Sequence, residues 1–305
     1  MALDKYFLEY PMRRHGMDHD LYAWSNLFER KPIDWGNGVK MALQIVVPVE
    51  FFPLNQQGKP FKAPGGMVTA YPDFRHYTSR DYGNRVGIYR FLKLFSILGI
   101  TANFAVNSQV AERYPQLVQD ILHDGHEIIA HGINMDTLHY GGMHSETEQL
   151  QIAQCLNSLE TICKQKITGW ISPAFSQSFE TLDLLVKNGI QYCGDWSNDD
   201  MPYWMQTKKG DILNLSVSQE LSDRQIITNY HHTEESFVQQ VKDQFEILQS
   251  ETHQYGGRIL SLILHPYIMG LPYRVSYLKQ ILGWLIQQQA VKSFRAKEIY
   301  QIYSN

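Results

Sequence analysis

Short apolar runs alternate along this chain with stretches in which apolar residues return every three or four positions, the signatures of buried strands and of amphipathic helices. Residues 41–49 open the series with a run broken only by Gln44, and such a run predicts a strand covered on both faces. From Gly83 onward the alternation becomes regular. Val86, Tyr89, Leu92 and Leu94 lie on a predicted helix that stops at Gly99, ahead of a strand at 101–106. A second helix over 114–124 stops at Gly125, and a short run then closes on His131 and Gly132. Ser145-Glu-Thr-Glu148 reads as a capping box, followed by Ile152, Leu156, Leu159 and Cys163 on one stripe. Further strands are expected at 169–172, 190–194, 212–217, 259–264 and 291–294, and helices at 179–188, 237–248 and 275–287.

Strands separated by helices imply a parallel sheet with covered faces. The expected fold is α/β: an irregular (β/α) barrel of about seven parallel strands in one domain over residues 41–305, with an N-terminal arm over 1–40. An open, doubly wound sheet fits the same alternation. The arm is broken by Pro11, Pro32, Gly36 and Gly38, yet it carries Tyr22, Trp24, Phe28 and Trp35. So apolar a segment is expected to pack on its own barrel or on a neighbouring subunit, and a homo-oligomer is expected. The first strand is followed by a connection of about thirty residues through Pro53, Gly58, Pro60, Pro64, Gly65, Gly66 and Pro72, a length that favours a functional loop.

Composition narrows the class. The 305 residues are 44% hydrophobic, enough for a large core. Twenty-seven basic against 31 acidic residues, without a Lys/Arg cluster, argue against a nucleic-acid partner. No apolar run approaches the ~20 residues of a membrane span, and the first residues lack a signal-peptide pattern, so no membrane partner and a cytoplasmic location are expected. Cys155, Cys163 and Cys193 contain no Cys-x-x-Cys pair and read as reduced core thiols.

The candidate chemistry lies at the carboxyl ends of the strands, where α/β barrels build their sites. Two strands end in histidine: one at His131-Gly132, the other at His265-Pro266, where the proline prevents the ladder from continuing. Glu50 follows the first strand. Asn134, Asp136 and His139 follow His131, and Ser172 and Pro173 follow the next strand. Asp195, Trp196, Asn198, Asp199 and Asp200 follow the one after. Carboxylates and histidines on one rim are the parts of a hydrolase: a base for water, an acid for the leaving group and the donors a cation would use.

At these residues the chain resembles the polysaccharide deacetylase family, hydrolases that remove N-acetyl groups from chitin oligomers and peptidoglycan and belong to carbohydrate metabolism. The resemblance runs from about residue 41 to the end. "HEIIAHG" is similar to the family's second motif, which implies a metal-ligand role for His131; "LSLILH" is similar to its fifth, which implies a general acid at His265. "CGDW" stands where the family has an acidic residue and an aromatic that orient the catalytic histidine and wall the pocket, here Asp195 and Trp196. The stretch from Gly169 to Tyr203 looks closest to an atypical branch with metal-independent allantoinases and cytoplasmic deacetylase-like proteins. Three departures accompany these matches. Met135 stands where sugar deacetylases have a second metal histidine, Ile171 where the third motif has arginine, and Pro48 where the first motif has one of two aspartates.

The sequence therefore leads to a hydrolase of a non-peptide carbon–nitrogen bond, acting on a small amide, cyclic amide or N-acyl compound without a tightly bound cofactor. Glu50 is expected to activate water, His265 to protonate the departing nitrogen and Asp195 to fix the tautomer of His265. His131 is expected to bind a metal or to stabilise the oxyanion as imidazolium. Trp196, Asn134 and Asp199 are the expected substrate contacts. Two alternatives stay open: a zinc- or other divalent-metal-dependent sugar N-deacetylase using Glu50, His131 and either Asp136 or His139, and a non-catalytic binding protein on the same barrel.

Overall fold

The computed structural model describes residues 19–56 and 72–304. Among them a single sheet of nine strands forms: β1 (Met41–Val49), β2 (Asn103–Val106), β3 (Glu127–Ala130), β4 (Gly169–Trp170), β5 (Tyr192–Cys193), β6 (Tyr203–Thr207), β7 (Gly210–Asn214), β8 (Arg258–Ile263) and β9 (Val291–Ser293). The order is β6-β7-β5-β4-β3-β2-β1-β8, with β9 beside the start of β1. Every pairing is parallel except the β6–β7 hairpin. The sheet is an α/β half-barrel, open between β8 and β6, where a closed ring would pair its two ends.

All nine residues of β1 are buried, as a strand covered on both faces must be. Alternation sorts its side chains. Leu43, Ile45, Val47 and Val49 face an outer core shared with the helices Ile88–Leu98, Ser145–Cys163, Glu234–Tyr255 and Val275–Gln287. Ala42 and Val46 face an inner core with Ala105, Ile129, Ile171, Ile259 and Ile263. That inner core is closed by Leu27, Ile33, Trp35 and Val39 and by the helix Ala296–Tyr303 through Ala296 and Ile299. A doubly wound sheet would carry crossover helices on both faces; here they gather on the outer one.

The N-terminal segment from residue 19 thus packs on its own sheet. Trp35, 4% exposed, donates its Nε1–H to the Arg258 carbonyl at 3.2 Å. A Cβ on Gly257 would lie 2.3 Å from that indole nitrogen, so the close approach requires glycine.

Pro48 lies inside a strand whose nine residues are all buried, a position that proline rarely takes. The Leu264 amide bonds the Val46 carbonyl at 2.9 Å, so the even-numbered residues of β1 direct their backbone groups toward β8. The β1–β8 register ends at Val46–Ile263. The N–H that Pro48 lacks is the one that would bond the Leu264 carbonyl and extend the ladder, so the β1–β8 pairing stops there.

Several expectations require correction. The capping box at Ser145 does not form. The N-cap is His144, without a side-chain cap, and Glu148 instead turns into a buried cluster with His139, Ser178 and Thr181. The helix expected over 237–248 is Glu234–Tyr255, its start capped by Thr233, whose hydroxyl accepts from the Ser236 amide. The hairpin strand β6 and the final helix were not expected. Of the long connection after β1, residues 57–71 lie outside the described residues; its end forms a helix, Phe74–Tyr82, capped by Asp73. The three cysteines are buried and unbonded to one another, and burial raises the Cys155 and Cys163 thiols to about 12 and about 11, which keeps them protonated.

Candidate active site

The inner face of the sheet runs out at the carboxyl ends of β1, β3 and β8, and the alternation that buries Val46, Ile129 and Ile263 carries the next side chains onto the same face. Two residues past Pro48 stands Glu50, two past Ile129 stands His131, and two past Ile263 stands His265. All three line one cavity of about 200 Å³, whose floor is Val46, Ala105, Ile171 and Ile263. Ala174, Phe175, Ser222 and Arg224 complete much of its wall.

His131 is 3% exposed, and its Nδ1 lies 2.7 Å from the Ile171 carbonyl oxygen. A carbonyl can only accept, so Nδ1 carries the proton and Nε2 presents a lone pair. That Nε2 is buried and has no hydrogen-bond partner among the described residues. Burial pulls the imidazole below its ordinary value, with Glu50 opposing, so the ring is neutral near pH 7. The backbone turn after it is set by Gly132, at φ +66°, packed so closely on Pro173 that a Cβ would lie 2.4 Å from the proline Cγ. Asn107 reinforces the same corner: its side chain donates to the His131 carbonyl and accepts from the Phe51 amide.

Glu50 is 6% exposed and its Oε2 has no partner among the described residues. Its Oε1 lies 3.9 Å from Nη1 of Arg224, an ion pair longer than a hydrogen bond. Asn84 donates to the Glu50 carbonyl at 2.9 Å and holds the backbone.

His265 is gripped by Asp223. One carboxylate oxygen accepts the His265 backbone amide at 2.7 Å, and the other lies 2.6 Å from Nδ1. Asp223 is fully buried, so the pair fixes the ring with Nδ1–H on the carboxylate and Nε2 left for the cavity. This corrects the pairing of Asp195 with His265. Asp195 instead accepts from the Ser172 amide at 2.6 Å, the Ser172 hydroxyl at 2.7 Å and the Gln177 amide at 2.6 Å. Burial raises its carboxyl above the usual range, against those hydrogen bonds.

The expected substrate contacts fall elsewhere. Trp196 and Asp195 line a second cavity, about 430 Å³, with Tyr22, Gln177 and Asn198; Phe175 forms part of both cavities. Asn134 lines a third, with Phe51, Gln109 and Arg113, and its Oδ1 accepts the amides of Asp136 and Thr137 at 2.8 Å each. Asp199 pairs with Arg30 at 2.7 Å and ties the N-terminal segment to the loop after β5.

A metal needs three protein donors in a catalytic zinc site. Glu50 and His131 offer two. His139 is held by Glu148 at 3.0 Å, and Met135, whose amide bonds the Phe51 carbonyl, supplies no donor suited to a borderline cation. Among the described residues no group of three His, Cys, Asp or Glu side chains is placed to hold an ion, so the donor set does not fit one.

Sequence alone missed Asp223 and Arg224. They lie in an irregular stretch where Ser222 bridges to Ile263 and a π-helical turn, Arg224–Asn229, begins.

Comparison with known proteins agrees with the fold. The polysaccharide deacetylase family model matches residues 75–193, a span that contains His131 but neither Glu50 nor His265. A Schizosaccharomyces pombe protein assigned by name to the polysaccharide deacetylases is 22% identical over 90% of this chain and 94% of its own length. The peptidoglycan deacetylase of Helicobacter pylori is 27% identical over 41% of this chain and 42% of its own. Among solved structures, Puue allantoinase superposes with a TM-score of 0.81 at 21% identity, covering 93% of this chain and 98% of that one.

Proposed function

We infer, for a chain whose residues 75–193 match the polysaccharide deacetylase family model, that it is a hydrolase of carbon–nitrogen bonds other than peptide bonds, acting on a small amide, cyclic amide or N-acyl compound. One observation carries the reading. Oε2 of Glu50 and Nε2 of His131, both without a hydrogen-bond partner among the described residues, belong to side chains that line the same cavity as a histidine whose Nδ1 is locked to a buried carboxylate. Buried polar atoms left without partners cost about 1–3 kcal/mol each, a cost that a bound substrate and water would remove. The cavity size supports a small substrate: about 200 Å³ is below the ~300–1,000 Å³ of pockets for drug-sized ligands.

The roles follow from the donors and acceptors. Glu50 Oε2 takes a proton from water as the water oxygen bonds to the carbonyl carbon. Neutral His131 holds that water through its Nε2 lone pair. His265, with Asp223 balancing its imidazolium form, delivers a proton from Nε2 to the nitrogen as the carbon–nitrogen bond breaks. Asp195 shapes the wall between the two cavities through Ser172 and Gln177, and Trp196 offers a ring to the part of the substrate that extends past Phe175. Because the donor set does not fit a third metal ligand, no step is assigned to an ion. The reading includes a cytoplasmic location and a homo-oligomer; light scattering of the purified protein tests the latter.

The test is a panel of small amides, cyclic ureides and N-acetyl compounds, with amine or ammonia release followed at neutral pH. Turnover that falls at least about a hundredfold in His265→Ala supports the reading. A protein that binds panel members but releases no product overturns it in favour of a binding protein; activity that appears only with added zinc favours a metal-dependent sugar deacetylase.

A further inference from the structure

Attack on a carbonyl places negative charge on its oxygen, and the largest part of catalysis in such sites comes from groups preset to meet that charge. His131 is not such a group. Its one proton is spent on the Ile171 carbonyl, its Nε2 offers only a lone pair, and burial opposes the imidazolium form that was one of the two roles expected of it. His265 has its Nε2 proton committed to the leaving nitrogen, and no third metal ligand accompanies Glu50 and His131 among the described residues.

We propose that Arg224 is the oxyanion-stabilising residue, a guanidinium that takes the place a metal cation holds in related chemistry. Four observations place it there, and the argument rests on the hydrolase reading above. Arg224 lines the cavity with Glu50, His131 and His265. Its Nη1 lies 3.9 Å from Glu50 Oε1, which keeps the head group near the attacking water while leaving every N–H free of hydrogen bonds among the described residues. Its side chain is 36% exposed, so it reaches the mouth where a substrate enters. Its backbone is registered to the chemistry, since the preceding residue, Asp223, holds both the amide and the ring of His265. The other nearby guanidinium is occupied: Arg80 lies 4.4 Å from the Tyr267 ring centroid and 5.2 Å from that of Phe52, and it does not line the cavity.

The step balances without a further reactant. The water oxygen bonds to the carbonyl carbon, the carbonyl π electrons move to its oxygen, and the water proton goes to Glu50. Arg224 donates two N–H bonds to the oxyanion and keeps its proton, as a guanidinium does. Collapse restores the carbonyl, the carbon–nitrogen bond breaks, and His265 protonates the nitrogen.

The experiment compares wild type, R224K and R224Q on the best substrate of the panel, and in parallel titrates methylphosphonate, a tetrahedral anion, by calorimetry. In R224Q, kcat is expected to fall about a hundredfold with KM within about threefold. Guanidinium chloride at tens of millimolar is expected to restore part of the loss in R224Q and to do nothing for wild type. R224K, which keeps the charge but not the fork, should lie between, and methylphosphonate affinity should drop at least tenfold in R224Q. A kcat within about threefold of wild type with unchanged methylphosphonate affinity overturns the proposal and leaves the hydrolase reading standing. A rise in KM with kcat intact also overturns it, making Arg224 a substrate anchor. Should wild type hydrolyse nothing in the panel, the hydrolase reading fails, and loss or retention of methylphosphonate affinity in R224Q still decides whether Arg224 is the anion-binding group.

Discussion

Asp223 accepts two hydrogen bonds from a single histidine, one from its backbone and one from its ring, and so decides which nitrogen of His265 meets the cavity. Replacing it by asparagine keeps the shape but removes the charge that balances an imidazolium. Asp223→Asn is therefore expected to lower kcat by at least about a hundredfold, whereas Asp195→Asn lowers kcat by less. Equal losses in the two variants would return the orienting role to Asp195. A second expectation concerns donors. With Met135 at the position of a third ligand, two donors leave an ion mostly hydrated and easily lost. Activity is expected to survive overnight dialysis against EDTA, measured on the best panel substrate; a loss restored by stoichiometric zinc would contradict it. Glu50, His131 and His265 were readable in the sequence because each follows an apolar strand by a fixed step. Asp223 and Arg224 were not, because they follow no strand of their own and sit where Ser222 bridges sideways to β8.

At the scale of elements, the turn after β3 carries the tightest constraint. Gly132 is at φ +66° with Pro173 against it, and its carbonyl accepts from the Ser108 amide at 2.9 Å and the Cys155 thiol at 3.2 Å. Gly132→Ala is expected to cost about 2 kcal/mol or more in urea unfolding and to lower kcat by displacing His131. Near-wild-type stability and kcat would show that the corner is slack. At the other end of the same strand, His126 is 4% exposed, its Nδ1 accepts the Ala102 amide at 3.2 Å, and burial pulls it down to about 4. In the unfolded chain it titrates near 6.5, so its neutral form stabilises the fold fully above that pH, and the contribution is lost as pH falls toward 4. His126→Asn keeps an acceptor and removes the titration. The stability gap between wild type and this variant is expected to be about 2 kcal/mol narrower at pH 5 than at pH 7, read from urea midpoints. A gap that stays constant or widens on acidification would assign the acid sensitivity to other groups, of which His76, also pulled to about 4 by burial, is the first. The failed capping box at Ser145 belongs to this scale as well. The local pattern named Glu148 correctly as a hydrogen-bonding residue, but its partners are His139, Ser178 and Thr181, which only the folded chain brings to it.

For the molecule as a whole, the N-terminal segment from residue 19 is a structural part of the half-barrel. Trp35 lies against Phe294 with ring centroids 5.7 Å apart, and Arg30 joins the segment to the loop after β5 through Asp199. Trp35→Ala is expected to cost about 3–5 kcal/mol and to open residues 19–40 to limited proteolysis. A cost below about 1 kcal/mol would mean that the segment packs independently of the inner core. By itself the sequence determined the alternation of strands and helices, the strand-end positions of Glu50, His131 and His265, and the apolar character of the segment around Trp35. These are local properties: side-chain direction alternates along a strand, and the stripe on a helix repeats every 3.6 residues, whatever lies opposite. Tertiary structure alone decided which groups meet. Asp195 follows β5, which β4, β3, β2 and β1 separate from β8, whereas Asp223 follows a residue bridged directly to β8. Strand order and the residue at which each ladder ends arise from packing across the whole sheet. They therefore assigned His265 its carboxylate and the cavity its guanidinium, which no pattern within one element encodes.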